Sequence, residues 1–327
     1  MTTYRDAGVD LDAAAQAKEL FKPFVRSTFG PQVLGDIGLF GGLFKLEGYK
    51  EPVLVSSTDG VGTKLKIAYW MGRYDTIGHD VVNQSLNDVL TTGAKPIFFL
   101  DYMAMEEMDP LRVATIVKGV AEACRASGCA LIGGETSQLS GVFQPGAFEL
   151  CGFLVGAAER SQLLDPFKVK AGDALIAVPS SGLHTNGYSL ARHVFGLDKD
   201  PSPLGVFYPE LSRTLGEALL EAHRPYYPLL APALPLVKSM GHITGDGLED
   251  NVARALPPGL RARIDYGSWE TPALFRIIQE RGSVAREEMF RVFNMGVGMV
   301  MTVEKANVGA LLRLLPEAWV VGDVGMV

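Results

Sequence analysis

The sequence predicts a two-domain α/β protein of mixed strand and helix order, and three observations predict it. The chain has 327 residues, about twice the roughly 150 residues usual for one domain. Strand-length apolar runs alternate with helix-length segments through both halves. Residues 164–173 (LDPFKVKAGD) gather Pro, Gly and charge between two such runs, the composition of a junction, which sets the domains at 1–168 and 169–327. Composition narrows the class further. A chain 47% hydrophobic and 20% charged is not wholly disordered. Thirty basic against 37 acidic residues leave a net charge of −7, so no nucleic-acid or membrane partner is expected. Cys124, Cys129 and Cys151 cannot all pair and have no zinc spacing, which suits a reducing cytoplasm. The first residues carry acids without an apolar signal core, and no run of 18 apolar residues follows, so a soluble cytoplasmic protein is expected.

In chain order, residues 52–57 (PVLVSS) read as a buried strand that empties into 58–64 (TDGVGTK). A helix over 76–92, a strand over 96–104 and a helix over 110–126 follow. A short strand over 130–132 ends in Gly133-Gly134-Glu135-Thr136, and a strand over 148–157 closes the first domain. In the second domain, a strand over 174–179 leads through a loop to a helix over 188–195. The Pro-rich stretch 225–235 reads as repeated turns. Helices at about 247–256, 271–281 and 305–315 alternate with strands near 260–265, 298–303 and 319–321.

Several residues stand out chemically. The helix over 76–92 sets Val82, Leu86, Val89 and Leu90 on one face and Asp80, Asn83, Gln84, Asn87 and Asp88 on the other. Asn and Asp are poor helix formers, so this face reads either as a solvated surface with end caps or as oxygen donors for a hard cation such as Mg²⁺. The loop Thr58-Asp59-Gly60-Val61-Gly62-Thr63-Lys64 reads as a tight turn or as a phosphate cradle, with glycines for close approach and Lys64 as a point charge. It lacks the P-loop spacing. Gly133-Gly134-Glu135-Thr136 repeats the pattern. Asp101, within the apolar run FFLDY, either turns to water or needs a partner or a metal. Gly35, Gly38, Gly41 and Gly42 read as a lid or as ordinary turns. In the second domain, Ser181, Gly182, His184 and Asn186 lie in a loop before a helix start, where backbone N–H groups attract anions. His184 reads as a structural ring or as a proton carrier. His242 precedes a further glycine turn.

Taken together, DAGVD at 6–10, STDGVGTKLKIA at 57–68, NDVLTTGAKPIFFLDY at 87–102, GGET at 133–136, SSGLHTNGYSLAR at 180–192, HITGDGLEDN at 242–251 and FNMGVGMV at 293–300 resemble the phosphoribosylformylglycinamidine cyclo-ligase family of purine biosynthesis. The resemblance spans almost the whole chain. Asp88 followed by Gly93-Ala94-Lys95-Pro96 is similar to the signature of a wider nucleotide-binding superfamily. Ser137-Gln138-Leu139, Glu149, Cys151 and Asp246 depart from the family pattern.

The resemblance implies a two-domain ATP-binding fold whose N-terminal sheet pairs across a homodimer into a β-barrel, beside a C-terminal α/β domain. It implies ATP-dependent cyclisation of formylglycinamidine ribonucleotide to aminoimidazole ribonucleotide through phosphorylation of the formamide oxygen, with ATP and Mg²⁺ required. Carried onto these positions, it implies Asp59, Asp88 and Glu135 as metal ligands. Thr58, Gly60, Gly62, Thr63, Lys64, Asn83, Asn87, Gly93, Gly133, Gly134 and Thr136 would surround the nucleotide. Lys64, Asp88 and His184 are the catalytic candidates, and Ser181, Gly182, His184 and Asn186 the substrate contacts. A selenophosphate synthetase, the nearest alternative, would carry a reactive Cys near its N-terminus, and none precedes Cys124.

Overall fold

The computed structural model describes residues 2–327 and divides them into two units. The first comprises residues up to Val89 and Lys95–Arg160, and the second Leu90–Ala94 and Ser161–Val327. The sequence places its break at 168, whereas the packing changes over after Arg160.

The first unit begins with α1 (Leu11–Arg26), started by Asp10, whose carboxylate accepts from the N–H groups of Asp12 and Ala13. Then come β1 (Pro52–Gly60), α2 (Lys64–Met71), α3 (Ile77–Leu90), β2 (Lys95–Met105), α4 (Pro110–Ala126), β3 (Ala130–Gln138) and β4 (Phe148–Glu159). The strands form one sheet in the order β1-β4-β2-β3, with β2 and β3 parallel and the other pairs antiparallel. Side chains alternate across a strand, so this sheet has two unlike faces. One carries Leu154, Phe99 and Met103, all buried, and Val81 of α3 approaches it at Gly152. The other carries Leu54, Tyr102 and Phe153, which are 60%, 41% and 39% exposed.

Two strands run further than the sequence suggests. β1 continues through Thr58, Asp59 and Gly60, which pair with Phe153, Gly152 and Cys151 of β4. β3 continues through Gly133–Gln138, alongside Leu100–Met105 of β2. Neither stretch is therefore a loop. Their neighbours in the sheet supply the backbone hydrogen bonds that Gly, Asp and Glu would not earn by propensity. The helices α1 and α2 have no counterpart in the sequence reading.

The second unit contains β5 (Ala174–Pro179), α5 (Tyr188–Phe195), β6 (Phe207–Tyr208), β7 (Arg213–Thr214), α6 (Leu215–Leu219), α7 (Tyr227–Leu230), β8 (Val237–His242), α8 (Gly247–Ala253), β9 (Leu260–Ile264), α9 (Ala273–Gly282), α10 (Arg286–Val292), β10 (Val297–Val303), α11 (Val308–Leu314) and β11 (Trp319–Met326). Its main sheet runs β8-β10-β5-β11-β9, every pair antiparallel. Separate hydrophobic clusters form around Ile176 and Met301 and around Leu175 and Val300. Alternation along β5 and β10 assigns these clusters to opposite faces. Among the described residues no helix is long and apolar enough to cross a membrane.

Candidate functional site

The polar face of α3 is interior. Asp80, Asn83, Gln84 and Asn87 are all buried and only Asp88 is partly open, which overturns the reading of a solvated surface. Burying such groups is unfavourable unless each finds a partner, and two of those partners are on β1. The Gln84 amide donates to the Asp59 carboxylate, and Ser57 Oγ donates to Asp88 Oδ2 at 3.1 Å. Residues 84 and 88 are one helical turn apart and residues 57 and 59 two strand positions apart, so the periods of helix and strand match. Asp59 and Asp88 are thereby held at one seam between β1 and α3.

Lys64 is placed differently from the sequence reading of a phosphate contact. Its side chain is fully buried, and Nζ lies 2.9 and 2.8 Å from the two carboxylate oxygens of Asp80, which is buried as well. Lys64 therefore ties the start of α2 to α3 and holds the segment between them and β1 from within. Gly60 ends β1, Gly62 lies on that segment, and Thr63 precedes α2. Thr58 Oγ1 donates to the carbonyl of Gly152, 2.9 Å away.

The second acidic group lies across the sheet. Asp59, Gly152, Asp101 and Gly134 form one cross-strand row. Glu135 is one row further on, beside Tyr102, and alternation directs it to the other face. Three strand spacings of about 4.8 Å put Glu135 roughly 14 Å from β1. Asp59 and Asp88 thus lie along one seam, with Glu135 set apart from it. Glu135 instead shares a cavity of about 720 Å³ with Asp101, Gly133, Gly134 and Thr136, which α1 and residues 36–42 also line.

Asp101, on β2, has a carboxyl perturbed by burial. Burial pushes it up to about 7, partly opposed by a hydrogen bond from its own backbone N–H. Gly134 rests directly on it, since a Cβ there would lie 2.1 Å from Asp101 Oδ1; glycine is needed here for close approach. In the unfolded chain this carboxyl titrates near 3.9, so its ionisation weighs against the fold increasingly from about pH 4 to about pH 7 and by a constant amount above. Asp101→Asn should gain stability relative to the parent from about pH 5 to about pH 7 and hold that gain at higher pH. Denaturant titrations across this range check it, and a pH-independent difference would refute it.

Gly93 also serves packing rather than open approach. Three residues beyond α3 it holds φ of +83°, and a Cβ would press on Leu164 Cγ at 3.2 Å and on the carbonyl of Gln162 at 3.3 Å.

In the second unit, the loop between β5 and α5 is braced on three sides. Ser180 Oγ donates to Asn294 Oδ1, Asn294 Nδ2 donates to the Gly182 carbonyl, and Ser181 Oγ donates to the Ala222 carbonyl, at 2.9, 2.9 and 2.6 Å. Ser181, Gly182 and Asn186 remain partly open. His184 does not. It is 1% exposed, its Nε2 accepts the Ser181 N–H at 3.2 Å, and its ring stacks on His223 at 3.9 Å. The reading of His184 as an accessible proton carrier gives way to an interior ring that shapes the loop. His223, given no role from sequence, stands in the irregular stretch between α6 and α7, where no periodicity marks it.

Comparison with known proteins agrees with this architecture. The N-terminal domain family of AIR synthase related proteins matches residues 42–158, and the corresponding C-terminal domain family matches residues 170–326. A phosphoribosylformylglycinamidine cyclo-ligase of Desulfitobacterium hafniense is 49% identical over 98% of this chain and 96% of its own. One of Caldicellulosiruptor bescii is 47% identical over 99% and 97%. Among solved structures, thiamine-monophosphate kinase from Stenotrophomonas maltophilia superposes with a TM-score of 0.67 at 17% identity, covering 94% of each chain. The hydrogenase maturation protein HypE in complex with ATP superposes with a TM-score of 0.66 at 15% identity, over 98% of this chain and 89% of that one. At such identities these structures share the fold alone. With half its residues shared with those relatives over nearly its full length, the chain belongs to the phosphoribosylformylglycinamidine cyclo-ligase family.

Proposed function

We infer that this protein closes the imidazole ring of a purine precursor: formylglycinamidine ribonucleotide and ATP give aminoimidazole ribonucleotide, ADP and phosphate. The observation that carries this is the 49% identity to a named cyclo-ligase over 98% of the chain. A formamide oxygen is a poor leaving group. Transfer of the γ-phosphoryl group to it makes an imino-phosphate carbon that the substrate's own amine attacks, and the attack gains from being intramolecular.

The oxygen donors fit Mg²⁺, a hard cation that takes carboxylates and keeps several waters. Asp59 and Asp88 offer one pair of carboxylates, held by Gln84 and Ser57. Glu135 offers a further carboxylate along the cavity. Mg²⁺ would supply charge neutralisation at the transferring phosphoryl group. Thr58, Gly60, Gly62 and Thr63 would face the phosphates, with Asn83 and Asn87 supporting the seam from within α3. The partly open Ser181, Gly182 and Asn186 would hold the ribonucleotide, on a loop that His184 keeps in shape. The exposed sheet face bearing Leu54, Tyr102 and Phe153 would be covered by the same face of a second copy, giving a homodimer. A cytoplasmic location fits three free cysteines.

Purified protein given formylglycinamidine ribonucleotide, ATP and Mg²⁺ should form aminoimidazole ribonucleotide and ADP in equal amounts. ATP binding without turnover, or ADP release that needs a different acceptor, would overturn the assignment.

A further inference from the structure

We propose that His184, His223 and His242 form a binding site for one divalent first-row transition-metal ion. Three of the chain's five histidines meet here. They come from separate places: the loop after β5, the stretch between α6 and α7, and the last residue of β8. Their side chains are enclosed, at 1%, 0% and 5% exposure.

The convergence is specific. His223 Nε2 and His242 Nε2 lie 3.0 Å apart, with ring centroids at 5.1 Å and planes inclined by 49°. Two imidazole nitrogens so close either share one proton or aim their lone pairs at a common ion. Ligation at about 2.0–2.1 Å with tetrahedral angles sets such nitrogens about 3.4 Å apart, so the observed pair needs to open by only a few tenths of an ångström. One nitrogen of His184 completes a set in which all three lie within 4.8 Å of one another. Reaching the ion requires the His184 ring to turn out of its stack on His223. A neutral imidazole has a single ring lone pair, spent here on the Ser181 N–H at Nε2, so His184 gives up that bond when it ligates and its other nitrogen carries the proton. Thr185 Oγ1, 3.4 Å from His223 Nδ1, gives that ring the outer partner that orients a ligating imidazole.

The donor chemistry selects the ion. Three imidazoles with no carboxylate among them are wrong for Mg²⁺ or Ca²⁺, which take oxygen, and right for Zn²⁺, Co²⁺, Ni²⁺ or Cu²⁺. With three protein ligands the fourth position is left for water or an exogenous anion. All three ligands belong to the second unit, and the test does not depend on the ring-closing reaction.

The full-length protein, treated with chelator and titrated with Co²⁺ alone, should take up one ion per chain and develop visible ligand-field bands. His223→Gln and His242→Gln should each weaken binding at least about tenfold. His79→Gln should leave it unchanged, since His79 lies beside Glu122 on the first unit. The count of ligands is readable without any variant, because three paramagnetically shifted imidazole N–H resonances are expected from the Co²⁺-loaded parent. Absence of bands at one equivalent, fewer than three such resonances, or bands that survive in folded Gln variants would overturn the proposal and leave a proton shared between His223 and His242.

Discussion

Replacing Asp80 with Asn is expected to destabilise the first unit by about 3–5 kcal/mol, the cost of leaving one member of a buried ion pair without its counter-charge. Lys64 would stay in the interior, where an ammonium is strongly disfavoured. Lys64→Met should cost a similar amount, because it strands the Asp80 carboxylate. The double variant, Lys64→Met with Asp80→Asn, removes both charges and should be more stable than the sum of the single losses predicts, by about 1–3 kcal/mol of coupling. Chemical denaturation with unchanged transition slopes is the measurement. Strict additivity, or single losses below about 1 kcal/mol, would show that the pair is not a structural tie. ATP affinity measured on the double variant separates the two roles argued for Lys64: if the residue acts only through the tie, nucleotide binding should largely survive removal of its charge.

Asp88→Asn should do the reverse, cutting turnover by about 10²–10³-fold, the usual loss when one group stabilising transition-state charge is removed, with little change in thermal stability. Asp88 is only partly buried, and it accepts from Ser57 Oγ. An Asn carbonyl oxygen can accept that bond, so the stability loss should stay within about 1 kcal/mol. The loss should appear in kcat more than in KM for ATP, since the charge matters most while the phosphoryl group moves. Equal collapse of stability and turnover would assign Asp88 to the scaffold.

The contrast between these two aspartates shows how far the sequence could be read. Asn and Asp crowded on one side of a helix signal that side chains there meet something other than water, and α3 bears this out with Asp80, Asn83, Gln84 and Asn87 all buried. Which of them face a ligand and which face each other depends on partners elsewhere in the chain, so the sequence points Lys64 at phosphate although Asp80 holds it. The strand ends are hidden in the sequence for a related reason. Asp59 and Glu135 look like loop residues by local preference, yet β4 and β2 extend the sheet past them. Once they lie on strands, alternation decides their direction, and one position separates Glu135 from the row of Asp101 and Asp59. His223 was least legible, because nothing in its neighbours in sequence reveals that His184 and His242 come to meet it.

The loop that carries His184 has a consequence for how it meets a partner. Gly182, His184 and Gly187 hold φ values of +151°, +59° and +79°, and for histidine that conformation is sparsely populated. A chain bent this way and braced by Asn294 has surrendered its freedom during folding, so little ordering entropy remains to be lost when a molecule docks on its outer atoms. Recognition at this loop should therefore be closer to lock and key than to a fold-over clasp, with a rigid rim that tolerates few changes in ligand shape.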